Sequence, residues 1–449
     1  MNIRLRENIN EQDRVNLGNG DWTWTPRFVG VKRFNSVGFS QIFVCTSKVD
    51  GRNGIKPGDT VYFKANNKRG VNQLGRTDES MGSCEDLGEV FGYYLIKGYV
   101  ETLGDRAVIE PTVYDFAEYS DDKFWRLINE QTMGMVKSDR LYGCVTKHCL
   151  EEDAQILHGH MILSELFDKK ECFKSGNNTL ANYQLGLESI AGKAMGDGQE
   201  VILDPMCMRY ISNVMFWDYF YSNSDRHCKN ITFQTIPLGN GKVLLKPTPI
   251  IDNGGGLALQ SPNCLKTYQR QVESIAENGK MVEYVDGVKN SFDCTLDFYV
   301  GASSFKDAEI SARFEELSYV EQLAVLLSQN KILFNDFRNM YSALDAQKAY
   351  ETMKRETKYH DTFLPGFDKV AAENIKYKRE KISRVFASML NVEFDEALFA
   401  QNPMAYIDMF EPMVAENNLN LFIASDEQAK QFKAIIEKML EDKKVKQNS

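Results

Sequence analysis

The sequence lacks the cysteine pattern of a disulfide-stabilised protein. Its nine cysteines are scattered, their number is odd, and none forms a Cys-x-x-Cys pair. Secreted domains that depend on disulfides usually carry an even set of closely spaced cysteines. We therefore expect a protein that works in a reducing compartment.

Long apolar segments are also absent. No run approaches the roughly 18 apolar residues that a membrane-spanning helix needs. The N-terminal segment MNIRLRENINEQDR contains no apolar core of a cleaved secretory signal. We therefore expect a cytoplasmic protein without a membrane span, although export by a route without an N-terminal signal would leave no trace in the sequence.

An excess of positive charge is missing as well. Lysine and arginine number 53 against 63 aspartates and glutamates, which gives a net charge of −10. This balance argues against a protein that binds nucleic acid or anionic membranes mainly by electrostatics, although a local basic groove remains compatible with it. The apolar content of 43% and charged content of 26% are typical of a soluble globular protein.

The order of predicted elements indicates an α+β protein with two lobes. Short β-rich runs alternate with glycines up to about residue 60, which predicts a twisted antiparallel sheet. Further strands are predicted at Arg106–Tyr114 and Leu141–Val145, with a charged insert over Ser120–Asp139, and helical patterns dominate from about Ile156. The expected parts are a β-rich lobe over 1–144, a helical lobe over 145–394 and a helical extension over 395–449.

The candidate strands and helices are distinguished by the spacing of their apolar residues, which repeats about every 2 residues in strands and every 3.6 residues in helices. The early strands are Trp22–Trp24, Phe28–Val31 and Phe39–Val44, and the helices are Met161–Phe167, Asn182–Met195, Arg209–Tyr221, Tyr319–Leu327, Ile332–Leu344, Asp368–Met389 and Gln428–Lys444.

A lysine and a glutamate are predicted to form one part of a phosphate-binding site. Lys64 lies in the β-rich run Asp59–Ala65, where its ammonium can reach nucleotide phosphate oxygens as a point charge. Glu89 lies beside the apolar stripe of a helix that begins near Cys84, so we expect it to point inward and pair with Lys64. Glu85 is the other candidate, and exposed side chains at both positions are the alternative.

Two short polar segments carry the predicted chemistry. The first, Asn223–Phe233, contains Asp225 and Asn230 five residues apart; the second, Ile250–Gly256, contains Asp252. Phosphoryl transfer needs a positioned hydroxyl, metal ions that neutralise the phosphates and a fixed lysine. The alternative for the first segment is a structural turn whose aspartate caps a helix.

Each polar side chain in these segments has a predicted role. Asp225 accepts or orients the proton of the attacking hydroxyl. The amide oxygen of Asn230 and the carboxylate of Asp252 bind Mg²⁺, a cation that prefers oxygen ligands. We expect His227 to support the catalytic loop by a hydrogen bond, with proton transfer as its less favoured role, and Arg226 to steady the loop or a phosphate.

The segment Val145–Leu150 is the natural connection between two such lobes. Its backbone groups are then expected to face an adenine, with Val145 and Lys147 as the predicted nucleotide contacts.

The two polar segments resemble the catalytic and metal-binding segments of the HipA-like kinases, bacterial relatives of the protein and phosphoinositide kinases. The matching stretches are SNSDRHCKNITF and PIIDNGGGLAL. The resemblance implies the catalytic aspartate at Asp225 and the metal ligands at Asn230 and Asp252. VYFKA and EDLGEVFGYYLIKGY resemble the family's nucleotide-lysine strand and paired-glutamate helix, which implies these roles for Lys64 and Glu89.

The resemblance covers roughly residues 55–390, and GCVTKHCLEED within it is similar to the connection between lobes. It implies a protein-kinase-like fold with ATP and Mg²⁺ as cofactors. The family's phosphate loop, the serine that some members autophosphorylate and the short N-terminal subdomain of toxin-type members have no evident counterpart. These departures favour a stand-alone kinase over half of a toxin–antitoxin pair.

The expected function is transfer of the ATP γ-phosphate to serine or threonine of a protein, including the kinase itself. A phosphoinositide or small-molecule kinase is one alternative, because the Asp-Arg-His form also occurs in phosphoinositide kinases; the weakly basic segment 257–280 argues against a lipid. A nucleotide-binding adaptor without turnover is the other alternative, against which the complete set of expected side chains argues.

Overall fold

The computed structural model describes a defined part of the chain, and every structural statement below refers to it. The predicted insert Ser120–Asp139 lies outside the described residues. The backbone is described at 3–5, 22–28, 42–47, 54–65, 84–119, 141–168, 170–193, 198–223, 225–259, 264–282, 284–285, 288–289, 313–314, 316–357, 364–416, 433–441 and 444.

A six-stranded antiparallel sheet forms the first lobe. Its strands are β1 (Ile3–Leu5), β2 (Trp22–Phe28), β3 (Ile42–Ser47), β4 (Thr60–Ala65), β5 (Tyr114–Tyr119) and β6 (Leu141–Lys147). They lie in the order β1-β5-β6-β4-β3-β2. Lys64 therefore sits on an interior strand, opposite Ile42 on one side and Cys144 on the other. β-branched and aromatic residues favour such a strand.

The long helix α1 (Glu85–Leu103) covers this sheet. It packs against β5 and β6 on one side and against helices of the second lobe on the other. Most of its residues are consequently buried. Glu85 and Asp86 lie in its first turn, where carboxylates stabilise the positive end of the helix dipole.

The prediction of a strand at Arg106–Tyr114 is wrong. The strand in this region, β5, begins at Tyr114, where the predicted strand was expected to end. Arg106 ends a short 3-10 helix, and the residues between it and Tyr114 do not pair within this sheet. Pro111 forms an isolated bridge with Ile250 of the second lobe, and the N–H of Ile250 donates to the carbonyl of Glu110 at 2.9 Å. Proline has no N–H to donate within a sheet. The β-like composition thus belongs to a segment that joins the lobes.

The second lobe is mainly helical. Its centre is the helix α4, whose side chains are apolar or aromatic nearly all round and which is therefore buried on every side. The helices in chain order are α2 (Gly159–Leu163), α3 (Leu180–Ile190), α4 (Met206–Tyr221), α5 (Cys264–Asn278), α6 (Tyr319–Ser328), α7 (Lys331–Ala343), α8 (Ala346–Thr357), α9 (Phe367–Leu390), α10 (Glu396–Gln401) and α11 (Ala405–Phe410).

Most predicted helices of this lobe are confirmed within a few residues, but two are shorter than expected. α2 ends at Leu163 although the pattern continued to Phe167. α3 ends at Ile190, because the chain then turns so that the N–H of Gly192 donates to the carbonyl of Val201. Part of the predicted helix Gln428–Lys444 is described, and residues 433–441 are helical.

A four-stranded sheet brings the two polar segments together. Its strands are β7 (Gln155–His158), β8 (Glu200–Leu203), β9 (Thr232–Gly239) and β10 (Lys242–Pro247), in the order β7-β9-β10-β8. β9 and β10 form an antiparallel hairpin. The segment Asn223–Ile231 directly precedes β9, and residues 248–256 directly follow β10. Because the start of β9 lies beside the end of β10, both polar segments are at the same end of the hairpin. A small separate hairpin pairs β11 (Tyr284–Val285) with β12 (Val288–Lys289).

The predicted two-lobed α+β architecture is confirmed. The first sheet extends to Lys147, three residues past the predicted boundary at 144, and the division of the chain into domains stays a prediction. The beginning of the predicted extension packs into the helical lobe, where Phe410 stacks on Phe386 with ring centroids 4.2 Å apart. Among the described residues, no helix is both long and apolar enough to cross a membrane.

Candidate active site

Lys64 lies at the meeting point of the two lobes. Its ammonium donates to the carboxylate of Glu89 on α1 at 2.6 Å and to the carboxylate of Asp252 at 2.5 Å. The lysine side chain is 14% exposed and Glu89 is fully buried, whereas Asp252 is 28% exposed. The three predicted residues are therefore in direct contact, with Asp252 on the accessible side.

Glu89 also binds the backbone of the second polar segment. Its other carboxylate oxygen accepts the N–H of Asn253 at 2.8 Å. This close approach requires glycine on α1: a Cβ at Gly88 would lie 3.0 Å from the carbonyl oxygen of Gly254. Two neighbouring residues of α1 therefore have linked tasks. Gly88 lets the loop that bears Asp252 approach the helix, and Glu89 binds both this loop and Lys64.

The charges of this cluster shift one another's pKa. Burial raises the pKa of Glu89, and the attraction of Lys64 offsets only part of this shift. Burial also opposes ionisation of Asp252, but Lys64, Arg226 and His227 together lower the pKa of its carboxyl. Burial acts against the ammonium as well, yet Asp252 and Glu89 raise the pKa of Lys64 well above its usual value. We therefore expect Lys64 and Asp252 to be charged at neutral pH.

The backbone at Asp252 is strained and supported from the first polar segment. Its φ of 59° is in the left-handed region, which costs a non-glycine residue on the order of 1 kcal/mol. The buried side chain of Asn223 donates to the carbonyl of Asp252 at 3.3 Å and accepts the N–H of Asp225 at 3.2 Å. Asn223 therefore links the two polar segments through their backbones.

Asp225 lies against the glycine run that follows Asp252. A Cβ at Gly255 would lie 2.9 Å from the Cβ of Asp225 and 2.8 Å from the amide oxygen of Asn223. Only glycine allows this approach. Asp225 itself is half-buried.

Asn230 closes the same loop. Its side-chain amide donates to the carbonyl of Asp225 at 3.0 Å, and its N–H donates to the carbonyl of His227 at 2.8 Å. With the amide nitrogen engaged, the side-chain oxygen is the atom that remains for a ligand. The predicted five-residue spacing of Asp225 and Asn230 is thus a closed turn whose ends are hydrogen-bonded.

His227 is exposed and contacts its own loop. Its Nδ1 accepts the N–H of Lys229 at 3.2 Å, a contact of the supporting kind expected for this residue. A second histidine supports the same loop and was not predicted to do so. The ring of His158, at the end of β7, contacts the carbonyl of Lys229 at 2.7 Å.

The two predicted nucleotide contacts, Val145 and Lys147, have other partners than the cluster of Lys64, Glu89 and Asp252. Val145 is buried within β6, between β4 and β5, so its backbone groups belong to the sheet. Lys147 ends the same strand and forms an ion pair with Asp59 at 2.9 Å. The sheet pairing therefore extends past Val145, the predicted start of the connection between the lobes, and nucleotide contacts at Val145 and Lys147 stay predictions.

Several residues of the site were not predicted. Asn223 and Asn253 are buried amides that bind backbone or side chains of the two polar segments. Tyr114 places its hydroxyl 3.5 Å from the N–H of Asp252. Asp218 binds Arg226, and its position offered a signal: a carboxylate within the aromatic run at the end of a buried helix requires a partner.

The donor atoms fit a Mg²⁺ ion that is shared with phosphates. The Asp252 carboxylate and the Asn230 side-chain oxygen are hard oxygen donors, and Mg²⁺ is usually bound by one or two protein carboxylates together with substrate phosphates. Within the described ranges, no group of three or more His, Cys, Asp or Glu forms a site made of protein ligands alone. Phosphate oxygens of a nucleotide would add further ligands of the kind that Mg²⁺ prefers.

Comparisons with known proteins find a likeness only among solved structures. No protein-family description matches the sequence, and no curated protein does. Among solved structures, the chain is similar to a proinflammatory kinase, CtkA, from Helicobacter pylori, with a TM-score of 0.42 and 13% identity. The match covers 80% of this chain and 94% of that one.

Proposed function

We propose that this protein is a kinase that uses ATP and Mg²⁺ and transfers the γ-phosphate to a hydroxyl group, with serine or threonine of a protein as the favoured acceptor. One observation carries the proposal: the ammonium of Lys64 bonds the buried Glu89 and the accessible Asp252 at once. The Asp252 loop is in turn joined to the Asp225 loop through Asn223.

The chain's own residues then have distinct tasks. Lys64 exchanges Asp252 for the phosphate oxygens when nucleotide binds, and Glu89 keeps the lysine in place. Asp252 and the side-chain oxygen of Asn230 are the protein ligands for Mg²⁺, which neutralises phosphate charge when it is bound. Phosphate contacts from Lys64 are those of a point charge, which tolerates small movements of the phosphate.

Asp225 acts on the acceptor. The hydroxyl oxygen of the acceptor forms a bond to the γ-phosphorus, the bond from that phosphorus to the β–γ bridging oxygen breaks, and ADP leaves. The hydroxyl proton passes to the carboxylate of Asp225 or is oriented by it during this step. The half-buried position of Asp225 beside Gly255 keeps this carboxylate next to the loop that bears Asp252.

Incubation with γ-labelled ATP and Mg²⁺ tests the proposal. Wild type is expected to label itself or a generic protein substrate on serine or threonine, and Asp225→Ala and Asp252→Ala are expected to label neither. Equal labelling by all three proteins contradicts the assignment. Thin-layer analysis of phosphoinositides in the same reactions distinguishes a lipid acceptor, and ATP binding without transfer to any acceptor identifies a binding module.

A further inference from the structure

Arg226 forms a fully buried ion pair with a carboxylate of the central helix. Its Nε donates to both carboxylate oxygens of Asp218 at 3.2 and 3.0 Å, and its Nη2 donates to one of them at 3.1 Å. The side chains are 1% and 0% exposed. Asp218 lies on α4, which is packed on every side, so the guanidinium has a fixed anchor.

The other side of the guanidinium binds both polar segments. Nη1 donates to the carbonyl of Asn230 at 3.3 Å and also to the carbonyl of Ile251. Nη2 donates to the side-chain oxygen of Asn253 at 3.2 Å. These acceptors are one proposed metal ligand, Asn230, and the two neighbours of the other, Asp252.

The geometry requires arginine. A guanidinium presents its donors in a planar fork, so one side can bind Asp218 while the other binds two loops. A lysine ammonium is a compact charge that cannot bridge these groups together. Asn253 is fixed from a second direction, because its side-chain oxygen also accepts the indole N–H of Trp217 on α4 at 3.0 Å.

We propose that Arg226 is a positioning residue that sets the distance between the two metal ligands, Asn230 and Asp252, with Asp218 as its anchor. The inference rests on the proposed function, because it concerns the same site. Arg226 is 1% exposed and bonded to the protein on both sides, so it acts through these ligands and does not contact a phosphate. A buried ion pair is weak evidence of stabilisation by itself, whereas the bonds to both loops give this pair a specific task.

The test compares Arg226→Lys with a matched change at the other end of α4. Arg209 also binds a carboxylate through two nitrogens, with Asp336 on α7 at 2.6 and 3.0 Å, and so it pairs with another helix of the second lobe. Mn²⁺ binding is measured by electron paramagnetic resonance with a saturating non-hydrolysable ATP analogue. Arg226→Lys is expected to raise the Kd for Mn²⁺ about 10- to 100-fold, and Arg209→Lys to leave it unchanged.

A nucleotide titration without metal separates positioning from damage to the fold. Arg226→Lys is expected to bind the analogue alone as wild type does. If this variant does not fold, the double change Arg226→Met with Asp218→Asn removes both buried charges and keeps a filled interior, and the same loss of Mn²⁺ affinity is expected.

The outcomes distinguish this inference from the proposed function. Wild-type Mn²⁺ affinity in the Arg226 variants overturns the inference and leaves the function standing. An equal loss in Arg209→Lys also overturns it, because the effect is then a general one. If wild type itself binds no Mn²⁺ with the analogue, the proposed function fails.

Discussion

The two sides of Asp252 are held by different kinds of cation. On one side, Arg226 is 1% exposed and binds the neighbouring backbone from a fixed anchor. On the other side, Lys64 is 14% exposed and binds the Asp252 carboxylate directly. The arginine contacts leave the carboxylate itself available, whereas the lysine contact occupies it.

This difference indicates which part of the site is a framework and which part responds to ligand. We expect the arginine side to maintain the shape of the loops with and without nucleotide. On the lysine side, the proposed role of Asp252 as a metal ligand requires Lys64 to change partners. The long, flexible lysine side chain and its second carboxylate, Glu89, allow this exchange without leaving a buried charge unpaired.

The largest effect is expected from removing the carboxylate between the two sides. Asp252→Ala is expected to reduce single-turnover phosphate transfer at least about 10³-fold, because metal binding contributes several kcal/mol of transition-state stabilisation. Asp168→Asn, an exposed position that caps a turn, is the control and should keep wild-type rates. Transfer by Asp252→Ala within tenfold of wild type, roughly 1.4 kcal/mol, would contradict the role of Asp252.

A smaller effect on transfer, with an opposite effect on metal binding, is expected at Lys64. Lys64→Met is expected to slow transfer about 10²- to 10³-fold, as loss of one preorganised cation does. The same change is expected to tighten Mn²⁺ binding without nucleotide, because Lys64 no longer competes for Asp252. The control is Lys97→Met. Lys97 lies further along α1 and pairs with Glu356 on α8, so its loss should change neither phosphate transfer nor Mn²⁺ binding. Weaker Mn²⁺ binding in Lys64→Met would rule out the exchange.

The stability of Lys64→Met is expected to depend on pH. Burial raises the pKa of Glu89, and Lys64 is the main group that opposes this. A carboxyl with a raised folded-state pKa costs nothing below its unfolded value of about 4.3, and the cost grows as pH rises through the folded-state value. The loss of stability, about 3 kcal/mol at neutral pH, should therefore shrink towards pH 4.

Thermal unfolding across pH 4 to 7 measures this dependence. The double variant with Lys64→Met and Glu89→Gln has no titrating group at position 89 and should lose most of the pH-dependent difference. A deficit of the same size at every pH would show that packing around Lys64, and not the buried carboxylates, causes it.

The smallest effects separate two glycines of α1. Gly88→Ala forces a Cβ to 3.0 Å from the carbonyl of Gly254, so we expect a loss of about 1 to 3 kcal/mol. Gly98→Ala places its Cβ in open space and should stabilise the helix by about 0.5 to 1 kcal/mol. Chemical unfolding of both variants measures the difference. Equal changes in the free energy of unfolding for the two variants would show that α1 is not in close contact with the Asp252 loop at Gly88.

The candidate side chains of the site could be selected from the sequence because their type and spacing are constrained, and their chemical roles stay predictions. A strand lysine, an inward helical glutamate and the pair Asp225 and Asn230 can be recognised in one dimension. The fold brings Lys64 and Glu89 together with Asp252, and Asn223 links the Asp225 loop to the Asp252 loop. The partners of the supporting residues were not predictable in the same way. Arg226 was expected to steady the loop or a phosphate, but the backbone carbonyls that Asn223 and Arg226 bind depend on the folded loops.

The architecture shows the same limit. The buried helix Arg209–Tyr221 was evident from its apolar character, and the structure confirms it. The segment before Tyr114 has the composition of a strand but bridges to Ile250 in the other lobe. The end of β6 at Lys147 depends on its partner β4. Both features are set by tertiary contacts that local patterns do not contain.

The most direct test of the account is a pulsed electron–nuclear resonance measurement of Mn²⁺ with a non-hydrolysable ATP analogue. It detects whether a protein-bound metal also contacts phosphorus. Wild type is expected to show ³¹P couplings from a bound Mn²⁺, and Asp252→Asn to show only the spectrum of Mn²⁺–nucleotide free in solution. The same bound spectrum in wild type and Asp252→Asn, or no bound Mn²⁺ in wild type, would contradict a metal–nucleotide site at Asp252.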